Sequence, residues 1–482
     1  MPDDAYYYLQ IALNQANGFG LTVDRLHQTN GFQPLWMLLL VGIARLGVST
    51  PEALLVVTKG LCVLLLAITA TLQTRLVQQR WGSLAAIAGA LLLAFPRFMN
   101  VPLMGMESCL VFPIFLLLCR EIMNSGSVFS GAPVWRDGWT GFWLGLLMLA
   151  RLDSVFIPVA LAVSAAWHSW SSSQGRPALR LLLVVLKGLA LFWPMLVFIA
   201  PYLAWNFLSF GHFVPISGVL KSTFPEPHFQ PTFLRGEFVA LIGLAAMASA
   251  LPLFGIGPRD AIWRLVCALT GGVTLHLAHG LFFMSWGVFI WHFVIYIPVG
   301  VIGLACCLTA FDGRVDRQAV RLGLVCVAAL QLAALWISIQ RVDRSFRGAS
   351  MEAAIWVRTH LPEETVMGMK DSGAFTYFSG RRVVNMDGLV NSFEYMQELC
   401  SRGLDDFLQR AGVQYIVQHQ VPTEVMTDVY EEYEQVYKCR LPGGTDGSIV
   451  MRRECEIYRG SPYLNSEDEP GQLVIWRYGT CA

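Results

Sequence analysis

ALLVVTKGLCVLLLAITATLQT, residues 53–74, is long and apolar enough to cross a bilayer as one helix, since the hydrocarbon core takes roughly 20 apolar residues. Phe238–Ile256 reads the same way. Outward from these two runs, comparable segments recur at 83–99, 106–121, 138–151, 153–169, 179–206, 261–283, 286–309 and 319–339, giving about ten spans. The composition agrees. Hydrophobic residues make up 55% of the 482 positions and charged residues 14%, the mean hydropathy is +0.51, and a soluble domain is nearer a quarter charged. The fold class is therefore a polytopic α-helical membrane protein. The net charge is zero, so a nucleic-acid partner is not indicated.

The segments 138–151 and 153–169 are short and meet at Arg151 and Asp153. They either cross incompletely or meet beneath a cavity. Pro34–Leu46 is apolar but too short to span, which suits a re-entrant or surface-lying helix. Arginines give the orientation. Alternate loops carry Arg75 and Arg80, Arg120 and Arg136, Arg176 and Arg180, Arg259 and Arg264, then Arg314, Arg317 and Arg321, while the other set holds Arg97, Arg151, Lys221 and Arg235. Cation excess marks the cytoplasmic side, so both the N-terminus and the C-terminal tail are expected outside. Chance gives some bias in short loops, but five loops in phase make it a weak explanation. An outer N-terminus at MPDD with no signal peptide leads us to expect a further apolar helix upstream.

Three regions follow: 1–52, an outer loop with an acidic pair and juxtamembrane helices; 53–344, the transmembrane helical domain; and 345–482, an extracytoplasmic α/β domain. In the last, charges become frequent and apolar runs shorten. Strand-like runs Thr365–Met369, Arg382–Asn385 and Val413–Gln418 alternate with helix-like Met351–His360, Phe393–Arg402 and Leu404–Ala411. This region holds Cys400, Cys439, Cys455 and Cys481, and thiols outside the cytoplasm tend to pair. At least one disulfide is expected, with Cys439 and Cys455 favoured because they flank a hairpin-like stretch at 442–447. The other seven cysteines read as small packing residues.

The chain has no Walker loop, no GxGxxG after a strand, no HExxH and no CxxC. Chemistry is therefore sought among acids and cations on the outer face. Asp3-Asp4 opens a helix-like stretch, PDDAYYYLQIALNQANGFG. Helix capping is the commoner role for such a pair, and a carboxylate base is the functional one. Glu107, at the outer end of a span, is either a solvated helix start or a site residue, and acids at membrane depth are usually functional. Asp153 has the same two readings and can also simply pair with Arg151. Lys221, in the 29-residue loop 207–235, is either an interfacial snorkelling lysine or a phosphate contact.

Together these residues resemble the GT-C superfamily of multispanning glycosyltransferases, which take a sugar from a polyprenyl-phosphate carrier. The nearest group holds the protein mannosyltransferases and aminoarabinose transferases, in a bacterial branch with an outer C-terminal domain. Asp3-Asp4 followed by AYYYLQIA matches the family's acidic pair in the first outer loop. Thr29-Asn30-Gly31 and Pro34-Leu35-Trp36 resemble the rest of that loop. Gly105-Met106-Glu107, Ala150-Arg151-Leu152-Asp153, Phe210-Gly211 through Pro215, Ser217-Gly218 and Lys221 match later signatures, and Asp387-Gly388-Leu389-Val390-Asn391 matches a stretch of the outer domain. Leu152 stands where proline is commoner, and the family's first helix, which precedes the acidic pair, is not present in these residues.

The resemblance implies a multi-pass enzyme of a bacterial inner or plasma membrane. Asp3 would be the base with Asp4 supporting it, and transfer would invert the anomeric carbon. Glu107, Arg151, Asp153, Lys221, Asn30 and His27 would bind substrate. The donor would be a polyprenyl-phosphate-linked sugar and the acceptor a hydroxyl of a glycan, lipid or protein, with membrane lipid as the surroundings. A divalent metal held by Glu107 and an aspartate is an open option, as some relatives use one and others do not. Two other classes remain in view, a transporter or flippase for lipid-linked saccharides and a noncatalytic membrane scaffold. The sequence shows no internal repeat of the kind transporters often carry.

Overall fold

The computed structural model describes residues 1–126, 128–129, 134–172, 177–312, 316–340, 346–422, 431–441, 443–464 and 470–479. Among these, seven helices are long and apolar enough to cross a membrane: Pro51–Leu93, Ser108–Ser125, Leu152–Ser171, Val184–Phe210, Gly236–Phe254, Ala261–Phe283 and Arg317–Ile337. The chain is thus an integral membrane protein. The first of these helices is two rods. Gly82 breaks it at φ 85°, ψ 176°, a left-handed backbone open to glycine and strained for other residues. The break folds the chain back, because Gln73 Nε2 donates to Gly89 O at 3.0 Å. Sixteen residues of straight helix would separate them by about 24 Å. The expected runs 53–74 and 83–99 are the two arms of this hairpin.

The shorter elements gather around a cavity. Val134–Ala150 ends at Arg151, whose extended backbone (φ −156°) gives way to a 3-10 turn, Leu152–Val155, before Phe156–Ser172. These two helices meet at a cavity, one of the two options left by the sequence. The expected span 286–309 is helical only over Tyr296–Ala310. Its first ten residues instead form a loop and a 3-10 turn, Ile290–Phe293, that enters the same cavity. Pro34–Arg45, at 12 residues, spans about 18 Å and cannot cross the roughly 30 Å core.

The basic loops collect at one end of the bundle. Arg80 donates to Met123 O and Asn124 Oδ1, Arg136 to Ser125 O, Lys187 to Val128 O and Arg264 to Phe129 O. Arg176 and Arg314 lie outside the described residues. Glu107 stands just before the other end of Ser108–Ser125, about 27 Å away along that helix.

The C-terminal region is a mixed six-stranded sheet between two helical layers. Its strands are β1 (Val366–Met369), β2 (Arg382–Asn385), β3 (Tyr415–Pro422), β6 (Glu456–Arg459), β7 (Tyr463–Leu464) and β8 (Pro470–Arg477), in the order β2-β1-β3-β8-β6, with β7 on β8. β1 lies parallel to β2 and β3, and β8 runs antiparallel to β3. Alternation assigns the faces. Met367, Met369, Val383, Val417 and Ile475 face the helices Phe346–His360 and Gly373–Ser379, while Val366, Val384, Ile416, Val474 and Trp476 face Phe393–Cys400 and Leu404–Arg410. A separate hairpin, β4 (Glu432–Tyr437) with β5 (Gly447–Arg452), supplies Tyr437, Ile449 and Met451 to the second core.

The disulfide expectation holds, but the favoured pairing does not. Cys439 bonds Cys400 at the end of Phe393–Cys400. Cys455 is also disulfide-bonded, and Cys481 lies outside the described residues. The strand register explains why the favoured pair does not form. Tyr437 faces Gly447, so Cys439 stands at the loop end of the hairpin, whereas Cys455 follows the far end of β5 at Arg452.

Between bundle and sheet lies the helix Asp3–Ala16. Its residues Ala5 and Tyr7–Asn14 are all buried. It packs on Pro34–Arg45 and the start of Pro51–Leu93 below, and on Tyr377 and Val390 of the C-terminal region above. The helix is covered on nearly every side.

Candidate functional site

A cavity opens where these three layers meet. Asp4, Tyr8 and Ile11 reach it from Asp3–Ala16, spaced so that one helix face presents them. Gln33 and Phe32 enter from the first loop, Met106 and Glu107 from the turn before Ser108–Ser125, and Arg151 from the helix break. Ser217 and Lys221 come from the short helix Ile216–Lys221, whose Ile216 and Leu220 are buried in the second core of the C-terminal region. Trp291 and His292 come from the 3-10 turn, and Leu389 and Val390 from the C-terminal region.

Four of the expected site residues meet here: Asp4, Glu107, Arg151 and Lys221. Arg151 is held rather than free. Its Nη1 donates to Glu107 Oε1 at 2.8 Å, and its Nε and Nη2 donate to both oxygens of Asp153 at 2.8 and 2.5 Å. Leu152 N donates to Gln33 Oε1 at 3.0 Å, fixing the break against the first loop. Behind Arg151 a second, smaller cavity is lined by Asp153, His276 and Tyr296, with His276 Nδ1 2.7 Å from Tyr296 Oη. Asp153 therefore belongs to the shell that orients Arg151. Glu107 is 2% exposed, and its Oε2 has no hydrogen-bond partner among the described residues. Lys221 Nζ makes no ion pair or hydrogen bond among the described residues.

Asp3 is placed differently from its neighbour. Its Oδ2 accepts from Gly373 N at 2.6 Å and its Oδ1 from Ala374 N at 2.7 Å. It ties the first helix to the C-terminal region and does not line the cavity. Burial pushes the Asp3 carboxyl well up, against the pull of those two N–H groups. Asp4 sits among unlike neighbours. Burial pushes its carboxyl up to about 6, with the Lys221 charge pulling it down and Asp387 and Asp371 pushing it further up. A carboxylate with that affinity for protons is poised for general-base work near neutral pH.

Asn30 and His27 lie away from the cavity. Asn30 is fully buried, donating to Asn206 Oδ1 at 3.1 Å and accepting from Ile216 N at 2.9 Å, so it anchors the helix that carries Lys221. His27 Nδ1 pairs with Asp24 Oδ2 at 2.7 Å and its ring packs on Phe407. Among the described residues no three His, Cys, Asp or Glu side chains stand together to hold a metal. Sequence reasoning missed Tyr8, Gln33, Trp291 and His292. Tyr8 Oη accepts from Gln33 N at 3.0 Å. The signal for Trp291 and His292 lay in WHF, two polar-capable rings inside an apolar run.

Comparison with known proteins bears on the fold. One family model matches residues 338–458, described as "Domain of unknown function (DUF8728)". No curated protein matches the chain. Among solved structures, ArnT from Cupriavidus metallidurans bound to undecaprenyl phosphate is similar over 98% of this chain and 93% of that one, with TM-score 0.50 and 12% identity. The same protein in the apo state gives TM-score 0.49 with the same shares and identity. The likeness in the first shows a shared fold, an ArnT-like arrangement of membrane helices with a C-terminal α/β region.

Proposed function

We propose that this membrane protein is a glycosyltransferase that moves a sugar from a polyprenyl-phosphate carrier to an acceptor hydroxyl, on the outer side of the membrane and with inversion. The observation that carries the reading is the pairing, in one cavity at one end of an ArnT-like bundle, of a carboxylate pushed up to about 6, Asp4, with a nearby cation, Lys221. The binding of undecaprenyl phosphate by the similar ArnT adds support.

The roles follow from position. Lys221 binds the carrier phosphate. The acceptor oxygen attacks the anomeric carbon as its proton passes to Asp4. The bond from that carbon to the phosphate oxygen breaks, and its electron pair leaves on the phosphate, where Lys221 stabilises the added charge. The leaving group is already an anion, so no strong general acid is needed. Glu107 Oε2, buried and unpartnered, takes a hydrogen bond from a hydroxyl of sugar or acceptor. Arg151, clamped by Glu107 and Asp153, holds that carboxylate in place. We assign the base to Asp4 rather than to Asp3, which resemblance first suggested, and the support is that Asp3 has both oxygens committed to backbone N–H groups. The test is release of undecaprenyl phosphate from a panel of undecaprenyl-phosphate-linked sugars by the purified full chain in nanodiscs. Turnover of at least one donor by wild type and none by Asp4→Asn supports the reading. Equal turnover by both sinks the assignment of the base.

A further inference from the structure

The turn Asp387–Asn391 was singled out by resemblance, yet the chemistry above leaves its carboxylate without a task. Asp387 is buried. Its Oδ1 accepts from Leu389 N at 2.8 Å, and its Oδ2 accepts from Asn385 Nδ2 at 2.9 Å and Asp371 N at 3.2 Å. We propose that Asp387 is a positioning residue of the transfer site, holding the Leu389–Val390 wall of the cavity and the helix that carries Asp4 in one fixed register. This rests on the transferase reading.

The hydrogen bonds run through to both sides. Asn385 Nδ2 also donates to Tyr7 Oη at 2.8 Å, and Ser372 N donates to the same oxygen at 2.6 Å. Tyr7 stands one turn along from Asp4, so this anchor sets where the base points. On the other side, Leu389 and Val390 line the cavity. A Cβ on Gly31 would stand 2.1 Å from Leu389 O, so two backbones touch there and the wall has no play. All three partners of Asp387 are donors. A carboxylate accepts from all of them, whereas an asparagine amide would set its own N–H groups against at least one. No cation is bonded to Asp387 among the described residues, since His419 pairs with Asp371 at 3.0 Å. A buried carboxylate with no counter-ion is expensive, and its retention here is explained by what it orients.

Its charge also acts on the base. The groups facing Asp4 are Lys221 from the short helix, Glu107, Arg151 and His292 across the cavity, Tyr7 and Tyr8 on its own helix, and Asp371 and Asp387 from the C-terminal region, with Asp3 adjacent in the chain on another face. Asp387 is one of two carboxylates there that favour protonation of Asp4.

The experiment uses the full chain in nanodiscs, with Asp387→Asn and Tyr7→Phe. It reads amide hydrogen exchange, undecaprenyl phosphate affinity, kcat on the donor found active, and the pH profile. An unsatisfied buried donor is worth about a tenfold or larger effect. Asp387→Asn should speed exchange in Asp3–Ala16 by that factor while the spanning helices keep theirs, and lower kcat by that factor with undecaprenyl phosphate affinity within about twofold, because Lys221 is untouched. It should also move the acid limb to lower pH, because a negative charge beside Asp4 is gone. Tyr7→Phe should reproduce the exchange and kcat changes without moving the acid limb, and it carries the test if Asp387→Asn does not fold. Unchanged exchange in the first helix overturns the proposal. So does a fall in kcat accompanied by an equal loss of affinity and an unmoved acid limb, which marks general damage to the fold. If wild type neither binds undecaprenyl phosphate nor transfers, the transferase reading fails, and exchange alone decides the role of Asp387.

Discussion

Asp3 and Asp4 are adjacent in sequence and on different faces of one helix, and the difference in partners separates their roles. Asp3→Asn turns one of its two acceptor oxygens into an NH2 group facing a backbone N–H, so the first helix should loosen from the C-terminal region by about 1–3 kcal/mol, read as a lower midpoint of thermal unfolding. Asp4→Asn should leave that midpoint unchanged and lower transfer by roughly 10²–10⁴. Inverted outcomes would return the base to Asp3. The pH dependence has a fixed sign. A base must be unprotonated to act, and Asp4 is pushed up to about 6, so the rate should be flat above neutrality and fall about tenfold per pH unit below that value. A rate still flat at pH 5 would show that the group titrating in catalysis is not Asp4.

At the scale of elements, what the sequence showed depended on whether a signal was local. Apolar length is local, so runs such as 261–283 and 319–339 emerged within a residue or two as Ala261–Phe283 and Arg317–Gln340. Three strand-like and three helix-like runs of the C-terminal region appeared for the same reason. The 286–309 run emerged only from Tyr296 onward, because ahead of it Trp291 lines the cavity with Phe289 stacked on it, and Phe293 packs on Phe238. The strands β6 and β8 are paired by tertiary context, and the disulfide partner of Cys439 is set by a helix end 39 residues away. The site was legible as four acids and cations that line one cavity, Asp4, Glu107, Arg151 and Lys221. Which of two aspartates faces the cavity is a matter of helix rotation against a distant sheet, and no local pattern encodes that. The cysteine pairing gives a further prediction. A non-reducing peptide map should link Cys400 to Cys439, and Cys400→Ser and Cys439→Ser should each lower stability of the C-terminal region by about 2–4 kcal/mol without adding to one another. Additive losses, or a peptide linking Cys439 to Cys455, would contradict the pairing.

Across the whole molecule, the arginine-rich loops and the cavity occupy opposite ends of the bundle, which gives the orientation argument a physical axis. We expect the cavity and the C-terminal region outside. In sealed right-side-out vesicles, a membrane-impermeant thiol reagent should label Glu434→Cys, on an exposed hairpin position, and spare Gln79→Cys, exposed beside Arg80 at the basic end. Labelling of the second and not the first would reverse the topology. The central claim is that the cavity is a polyprenyl-phosphate site organised around Lys221, with Asp4 opposite as base. The most direct measurement is the affinity of the full chain in nanodiscs for undecaprenyl phosphate. Wild type and Asp4→Asn should bind it alike, because the base acts on the acceptor. Lys221→Ala should bind it about tenfold more weakly or worse, the loss of one charge-assisted contact. Binding that is absent in wild type, or indifferent to Lys221, would contradict the account.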